Sequence, residues 1–143
     1  MLNAHGGDDE VFSAQFIAST LEEVRRTGAV RTHFGRIRPI PDIQSRNPNQ
    51  RGFAERTAVN TPLQGTAADM IKVAMLAIDR ALTDRNLKTV MTLQVHDELL
   101  FDTPPSEADE VTELVKTEME KVITLSIPIV AEVNRGPNWR DAK

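Results

Sequence analysis

The chain has 143 residues, no cysteine and a formal net charge of −4 at pH 7. This length suits one domain with its own hydrophobic core, and the lack of cysteine excludes disulfides and thiolate metal sites. The polar start lacks the basic and apolar segments of a signal peptide, and no apolar run approaches the roughly 20 residues that span a bilayer. We therefore expect a cytoplasmic protein that has no membrane partner.

Charge is distributed unevenly along the chain. Residues 25–56 contain eight arginines, no lysine and two carboxylates, whereas the rest of the chain has an excess of negative charge. Planar guanidinium groups suit bidentate contact with phosphates or base edges. The alternative is that these arginines are solvated loop residues, and the charge count alone does not decide between the two interpretations.

The first elements predicted in chain order are a tail, a helix and a strand. Residues 1–8 are small and polar and are predicted to be disordered, which leaves residues 9–143 as the folded part. Apolar residues recur at helical spacing over 9–27, and Gly28 follows as a typical helix stop. The alternation over 29–34 predicts a strand.

Prolines shape the prediction for the next segment. Pro39 and Pro41 argue against a regular β-ladder, so residues 35–52 are predicted to be an extended, arginine-rich loop. A helical pattern begins at Phe53. Pro62 is predicted to kink or break this helix, because it lacks the amide hydrogen that a helix interior needs.

The second half of the chain completes an α+β pattern. The predicted elements are a helix, the two strands of a hairpin, a helix and a last strand, over residues 64–82, 88–95, 99–103, 107–122 and 127–133. Ser106 is the predicted N-cap of the second of these helices. The order of elements predicts helices packed on a small, mainly antiparallel sheet.

The predicted hairpin carries three adjacent ionisable residues, His96, Asp97 and Glu98, at its connection. An aspartate at the tip of a tight turn is held by rigid strands yet exposed, which suits Mg²⁺, a cation that takes one or two carboxylates plus phosphate oxygens. The pattern alone favours a simpler alternative, a polar turn between two apolar strands. A metal phosphohydrolase site is a weaker alternative, because it needs further ligands.

A second candidate site is a row of donors, Arg56, Asn60 and Gln64, spaced four residues apart. On a helix these side chains share one face. The minor groove of a duplex offers acceptors that differ little between base pairs, so such a row could contact it without reading sequence. Taken alone, the row is better explained as a polar helix face.

The C-terminal segment contains Trp139, the only tryptophan of the chain. It is predicted to be an anchor that packs the tail on the domain. A single-strand binder built on stacked bases is not expected, because aromatic residues make up 4% of the chain and tyrosine is absent.

Several motifs in one order resemble a known family. The segment ERTAVNTPLQGTAADMIK at 55–72, followed by LQVHDELLF at 93–101, closely resembles the palm region of family A DNA polymerases, the bacterial DNA polymerase I type. GAVRTHFGRIRPIPDI at 28–43 and GPNW at 136–139 are also similar to family motifs, so the resemblance covers residues 10–142.

This resemblance implies a role for each motif. Asp97 matches the second of two metal-binding aspartates, Glu98 is an accessory carboxylate beside the metals, and His96 lies near the primer terminus. The residues implied to contact primer–template DNA are Arg56, Asn60, Gln64, Arg36 and Arg38. The implied reaction is nucleotidyl transfer from deoxynucleoside triphosphates with two Mg²⁺ ions.

The chain also departs from the family pattern. The family's first catalytic aspartate, in an Asp-Tyr-Ser-type strand, has no counterpart, and neither has the fingers helix that holds the incoming triphosphate. We therefore expect residues 9–143 to be a partial palm domain of a DNA-directed DNA polymerase for replication and repair. It would need the rest of the palm, the fingers and the thumb, and would be inactive alone. The alternative is a non-catalytic module that binds duplex DNA.

Overall fold

The computed structural model describes residues 6–125 and 128–142. In chain order the elements are α1 (Gly6–Thr27), β1 (Ala29–Arg31), β2 (Ile37–Pro39), a 3₁₀ turn (Pro41–Gln44), α2 (Pro48–Asp84), β3 (Val90–Val95), β4 (Glu98–Asp102), a second 3₁₀ turn (Pro105–Glu107) and α3 (Ala108–Glu120). The α+β class predicted from the sequence is confirmed.

The chain divides into two compact units, one ending at Thr66 and the other beginning at Ala67. Each unit has its own antiparallel hairpin, formed by β1 and β2 in the first unit and by β3 and β4 in the second. The predicted folded part, residues 9–143, therefore contains two compact units.

Helix α1 begins at Gly6, so residues 6–8 belong to the helix and not to the predicted tail. Residues 1–5 of that tail lie outside the described residues. The helix ends before Gly28, whose φ of 73° is left-handed and whose amide donates to Val24 O at 2.7 Å. The helix stop predicted at Gly28 is confirmed.

The arginine-rich segment contains a strand, so the prediction of an extended loop over 35–52 was wrong in this part. Strand β2 pairs with β1, and Pro39 lies opposite Ala29. The flanking backbone hydrogen bonds are Thr32 N to Arg36 O (2.9 Å) and Ile40 N to Gly28 O (2.8 Å). Because bonded and non-bonded pairs alternate in an antiparallel ladder, Pro39 falls at a non-bonded pair and its missing amide hydrogen breaks no bond.

Helix α2 begins at Pro48, which corrects the predicted start at Phe53. Asn47 Oδ1 accepts a hydrogen bond from Asn49 N at 3.0 Å, as an N-cap side chain does. Pro48 occupies the first helical position, where the lack of an amide hydrogen removes no helical bond. The Asn-Pro pair was therefore a helix-start signal inside the predicted loop.

Pro62 lies inside α2, which continues to Asp84, so the helix does not break at this proline. The alternative prediction, a kink at 61–62, stays a prediction. Thr61 stays helical and buried, and its hydroxyl donates to Thr57 O at 2.7 Å. The Thr66 hydroxyl donates to the carbonyl of Pro62 itself. Hydroxyl groups therefore bond carbonyls in the turns on both sides of the proline, where the regular helical ladder is interrupted.

Each unit has a separate apolar core. The core of the first unit is formed by Val24, Val30, Ile40, Ile43, Ala54 and Ala58. The core of the second unit is formed by Ala74, Ile78, Leu82, Val111, Leu114 and Val115. In the second unit these residues recur at three- and four-residue spacing, so one face of α2 packs against one face of α3.

The N-cap predicted at Ser106 is wrong. Helix α3 begins at Ala108, and the cap position is Glu107, whose side chain makes no cap hydrogen bond. The Glu107 carboxylate instead accepts hydrogen bonds from Lys88 N at 2.9 Å, from Thr89 N at 3.0 Å and from the Thr89 hydroxyl at 2.7 Å. These bonds, that from Lys88 N foremost, lower the pKa of Glu107 below its ordinary value.

The last strand, predicted over 127–133, is not formed in its described part, residues 128–133. Ile127 lies outside the described residues. The amide of Ala131 donates to Glu120 Oε1 at 3.0 Å, so it bonds to a side chain and not to a neighbouring strand. Alternating apolar residues predict a strand only where a partner strand completes the ladder.

In the part of the chain that the structure describes, no helix is both long enough and apolar enough to cross a membrane. The predicted cytoplasmic location stays a prediction.

Candidate functional site

The tip of the β3–β4 hairpin holds the three adjacent ionisable residues. Val95 pairs with Glu98, so the connection is a two-residue turn made of His96 and Asp97. His96 has a φ of 54°, a left-handed conformation that non-glycine residues rarely adopt. Gln94 Nε2 donates to His96 O at 2.5 Å, a side-chain bond beside the turn. The predicted hairpin with these residues at its tip is confirmed.

The two carboxylates at the tip are exposed. Asp97 has no hydrogen-bond or ion-pair partner among the described residues, and Glu98 Oε2 accepts a long hydrogen bond from Trp139 Nε1 at 3.4 Å. Carboxylate oxygens suit hard cations such as Mg²⁺. Within residues 6–125 and 128–142, however, no three acidic or histidine side chains lie close enough together to hold a metal ion. The tip therefore fits part of a metal site.

An open cleft of about 1080 Å³ lies beside the tip in the second unit. Its walls are β4, the apolar face of α3 and the C-terminal segment, and they include Asp97, Glu98, Phe101, Val115, Val133 and Trp139. The two tip carboxylates and the C-terminal segment therefore line the same cleft. Trp139 lines this cleft but is 43% exposed, so its predicted role as an anchor stays a prediction.

The predicted row of donors lies on α2 in the first unit. Arg56, Asn60 and Gln64 are all exposed, and none of them has a hydrogen-bond or ion-pair partner in the part of the chain that the structure describes. Their spacing of four residues places them along one stripe of the helix. Their donors are therefore available to a ligand.

Arg36 and Arg38 have contacts within the first unit. Arg36 Nη2 donates to Gly65 O at 3.1 Å, and Arg38 Nη1 donates to the Thr61 hydroxyl at 3.3 Å. Both guanidinium groups thus hold the β1–β2 hairpin against α2. Geometry supports a structural role for them, and their predicted contact with DNA stays a prediction.

The other arginines of residues 25–56 include both side chains with a partner and side chains without one. Arg25 pairs with Glu55 at 2.8 Å, and Arg51 Nη1 donates to Ser45 O at 3.1 Å. Three exposed arginines have no hydrogen-bond or ion-pair partner among the described residues, namely Arg26, Arg31 and Arg46. Only some of these guanidinium groups are therefore paired or hydrogen-bonded within the first unit.

The close approach of α2 to the β1–β2 turn at Gly65 was not predicted from the sequence. A Cβ atom at Gly65 would lie 2.6 Å from Thr32 Cγ2, so only glycine allows α2 to approach the β1–β2 turn this closely. Beside this approach, the Thr66 hydroxyl accepts a hydrogen bond from His33 N at 2.9 Å. The available signal was the QGT segment in a helix otherwise rich in better helix formers, since an isolated helical glycine often marks close packing.

The comparisons with known proteins agree with these motifs. The model of the family described as DNA polymerase family A matches residues 12–141. DNA polymerase I of Streptococcus pneumoniae is 49% identical over 128 residues, which is 90% of this chain and 15% of that protein. DNA polymerase I of Lactococcus lactis subsp. lactis is 48% identical over 128 residues, with the same shares of each chain.

A solved structure is similar as well. The POL domain of Pol1 from M. smegmatis, in complex with DNA primer-template and dNTP, superposes with a TM-score of 0.88 at 39% identity. The match covers 90% of this chain and 23% of that chain. The present chain thus spans about 15% of the length of the curated relatives named above.

Proposed function

Because this chain belongs to DNA polymerase family A, we propose that it supplies part of the active site of a DNA-directed DNA polymerase. The proposed reaction of the complete protein is template-directed nucleotidyl transfer, which serves DNA replication and repair. The 143-residue chain alone would be inactive. The remaining palm, the fingers and the thumb are the proposed partner domains.

The observation that carries this proposal is the geometry of the hairpin tip. Asp97 lies in a two-residue turn between paired strands, exposed and without a partner among the described residues. A carboxylate on such a rigid support needs little rearrangement to bind a cation. His96, beside it in the turn, is the proposed neighbour of the primer terminus.

Members of the family use divalent metal ions, and we propose Mg²⁺ for this site. Asp97 and Glu98 are the residues that would hold it, and a second aspartate would come from outside this chain. When bound, a metal pair stabilises charge on the attacking and leaving oxygens of an in-line phosphoryl displacement. The chain's own contribution is to present carboxylate oxygens at a fixed position on the hairpin.

Primer–template DNA and deoxynucleoside triphosphates are the proposed ligands of the complete protein. The M. smegmatis structure contains both, which supports the proposal. On this chain, Arg56, Asn60 and Gln64 would donate hydrogen bonds to minor-groove acceptors near the active site. Their exposed and unused donors support this role, because they can check duplex shape without reading sequence.

Primer extension tests the catalytic proposal. The chain alone, with Mg²⁺ and all four nucleotides, is expected to give no product. Adding an upstream polymerase fragment that contains the missing palm strand, fingers and thumb is expected to restore synthesis. Asp97→Asn in the reconstituted protein is expected to lower the rate at least about 100-fold, because it removes a charged metal ligand.

The matched control is Asp102→Asn, which removes another exposed carboxylate at the far end of β4. This variant is expected to keep wild-type activity after reconstitution. Robust extension by the chain alone would overturn the fragment interpretation. An equal loss of extension activity in both variants would contradict the proposed role of Asp97 as a metal ligand.

A second candidate function is a non-catalytic module that binds duplex DNA. The free donors on α2 favour it, since they need no metal and no second domain. It predicts binding whose affinity falls with salt. Arg56→Gln is expected to weaken binding to duplexes of any sequence, because the lost donor would contact minor-groove acceptors that differ little between base pairs. Arg80→Gln, an exposed arginine elsewhere on α2, is the control.

The two candidates differ in one outcome. No DNA binding by the chain at low salt, together with restored synthesis after reconstitution, would exclude the free-standing module. Salt-sensitive binding with no restored synthesis would favour it.

A further inference from the structure

The C-terminal segment of the second unit returns to the hairpin tip. Trp139 Nε1 donates to Glu98 Oε2 at 3.4 Å, and Trp139 lines the same cleft as Asp97. Among the described residues, this indole is the one side chain that donates a hydrogen bond to either tip carboxylate. An indole N–H can only donate, so Glu98 is the acceptor in this contact.

The segment is fixed before it reaches the tip. Arg135 Nε and Nη2 donate to the Thr112 hydroxyl at 3.0 and 2.6 Å, and Arg135 Nη1 pairs with Asp109 Oδ1 at 2.7 Å. These three bonds fasten the segment to the first two turns of α3. Each bond alone is exposed and weak, but the planar guanidinium group fixes direction as well as distance.

The residues around Trp139 form a closed turn. Asn138 Nδ2 donates to Asp141 Oδ2 at 2.7 Å, and Ala142 N donates to Asn138 O at 3.2 Å. A Cβ atom at Gly136 would lie 2.6 Å from the carbonyl carbon of Asp141, so the turn folds back on a position where only glycine fits. The indole is therefore presented from an ordered support.

We propose that Trp139 is a positioning residue that orients the Glu98 carboxylate for a divalent cation at the hairpin tip. This inference rests on the proposed function, which supplies the cation. The indole occupies one side of Oε2 and leaves Glu98 Oε1 and both Asp97 oxygens available as ligands. Because this hydrogen bond restricts the Glu98 side chain, cation binding has less side-chain freedom to remove, a gain of roughly two- to tenfold in affinity.

Binding of Mn²⁺ to the 143-residue chain tests this role, since free Mn²⁺ is counted directly by its electron paramagnetic resonance signal. Trp139→Phe keeps an aromatic ring but removes the N–H donor, and it is expected to weaken Mn²⁺ binding about two- to tenfold. Val130→Ala, at an exposed position of the same segment, is the control and is expected to keep wild-type affinity.

A double-mutant cycle separates positioning from a general structural effect. If Trp139 acts through Glu98, the double variant Glu98→Gln with Trp139→Phe binds Mn²⁺ no more weakly than Glu98→Gln alone. A tail that only stabilises the fold would give additive losses. Additive losses, or equal Mn²⁺ binding by wild type and Trp139→Phe including none by either, would overturn the inference.

Primer extension after reconstitution tests the proposed function separately. Restored extension together with unchanged Mn²⁺ affinity in Trp139→Phe would remove the positioning role and leave the polymerase function standing.

Discussion

At the scale of single residues, His96 is the most unusual position of the hairpin. Its φ of 54° places a non-glycine residue in a left-handed conformation, and such a conformation costs about 1–2 kcal/mol. Glycine or asparagine would be the ordinary choice for a two-residue hairpin turn. A histidine at this position therefore costs stability, and its proposed place near the primer terminus would account for that cost.

His96→Gly is expected to raise the free energy of unfolding by about 0.5–1 kcal/mol, because relief of the left-handed strain exceeds the entropy that glycine adds to the unfolded chain. Urea unfolding of the 143-residue chain measures this difference. The control is His33→Gly, at a histidine whose φ is not positive, and it is expected to lower stability. A lower stability for His96→Gly would show that the turn is not strained.

A second residue-scale prediction concerns Glu107, whose pKa lies below its ordinary value of 4.5 because Lys88 N and Thr89 donate to its carboxylate. A carboxylate with a lowered pKa in the folded state stabilises the protein above the unfolded pKa and loses that effect as the pH falls. Glu107→Gln is thus expected to be less stable than wild type at pH 7, and the difference is expected to shrink below pH 4.5.

Unfolding measured between pH 7 and pH 3 tests this dependence. Glu110→Gln is the matched control, because Glu110 makes only an exposed ion pair with Arg85 at 3.1 Å, and such pairs contribute about 1 kcal/mol or less. A constant difference between wild type and Glu107→Gln across this range would contradict the assigned hydrogen bonds.

At the scale of elements, helix α2 contains two glycines with opposite surroundings. A Cβ atom at Gly65 would meet Thr32 Cγ2 at 2.6 Å, whereas one at Gly52 would meet only Arg56 Nη1 at 3.7 Å. Gly65→Ala is therefore expected to destabilise the chain by about 1–3 kcal/mol through overpacking. Gly52→Ala is expected to stabilise it by about 0.5–1 kcal/mol through helix propensity.

Urea unfolding followed by circular dichroism distinguishes the two variants, and each serves as the control of the other. Equal and favourable effects at both positions would show that the β1–β2 turn does not approach α2 as closely as described.

The element scale also shows what sequence reasoning can predict. The β3–β4 hairpin was predicted because its strands alternate, its turn is polar and its partner is the next segment of the chain. Strand β2 was missed because its compatibility with Pro39 depends on the register of the ladder, which a local pattern does not reveal.

Other misses have related causes. The prediction of an N-cap at Ser106 was wrong because the helix starts later, after Glu107, whose side chain bonds to residues 18 and 19 positions earlier. The prediction of a strand was wrong over 128–133 because no partner strand joins this segment among the described residues. The candidate site shows the same limit. The candidate residues at the hairpin tip were named from the sequence, but the contact of Trp139 with Glu98, 41 residues apart, depends on the fold and was not predicted.

At the scale of the whole molecule, large apolar side chains remain exposed in both units. They include Phe53 and Leu63, each 64% exposed, and Leu76, which is 61% exposed. Exposed apolar surface on a soluble domain often marks an interface. Contacts with the partner domains proposed above would cover this surface.

The 143-residue chain is accordingly expected to self-associate as its concentration rises. Leu76→Gln is expected to weaken association without lowering stability, because the side chain is mostly exposed. Sedimentation velocity over a series of concentrations measures this effect, with Lys72→Gln at an exposed polar position as the control. A chain that stays monomeric at every concentration would contradict the prediction.

The two-residue turn at Asp97 has a consequence for how this protein can change in length. Side chains alternate along both strands, so inserting or deleting one residue at the tip would shift the pairing or turn the carboxylate to the opposite face. No shorter hairpin loop is common in proteins, and a longer one would loosen the support. Length changes during evolution are therefore expected to collect in other connections, such as residues 121–133, while the tip keeps its length.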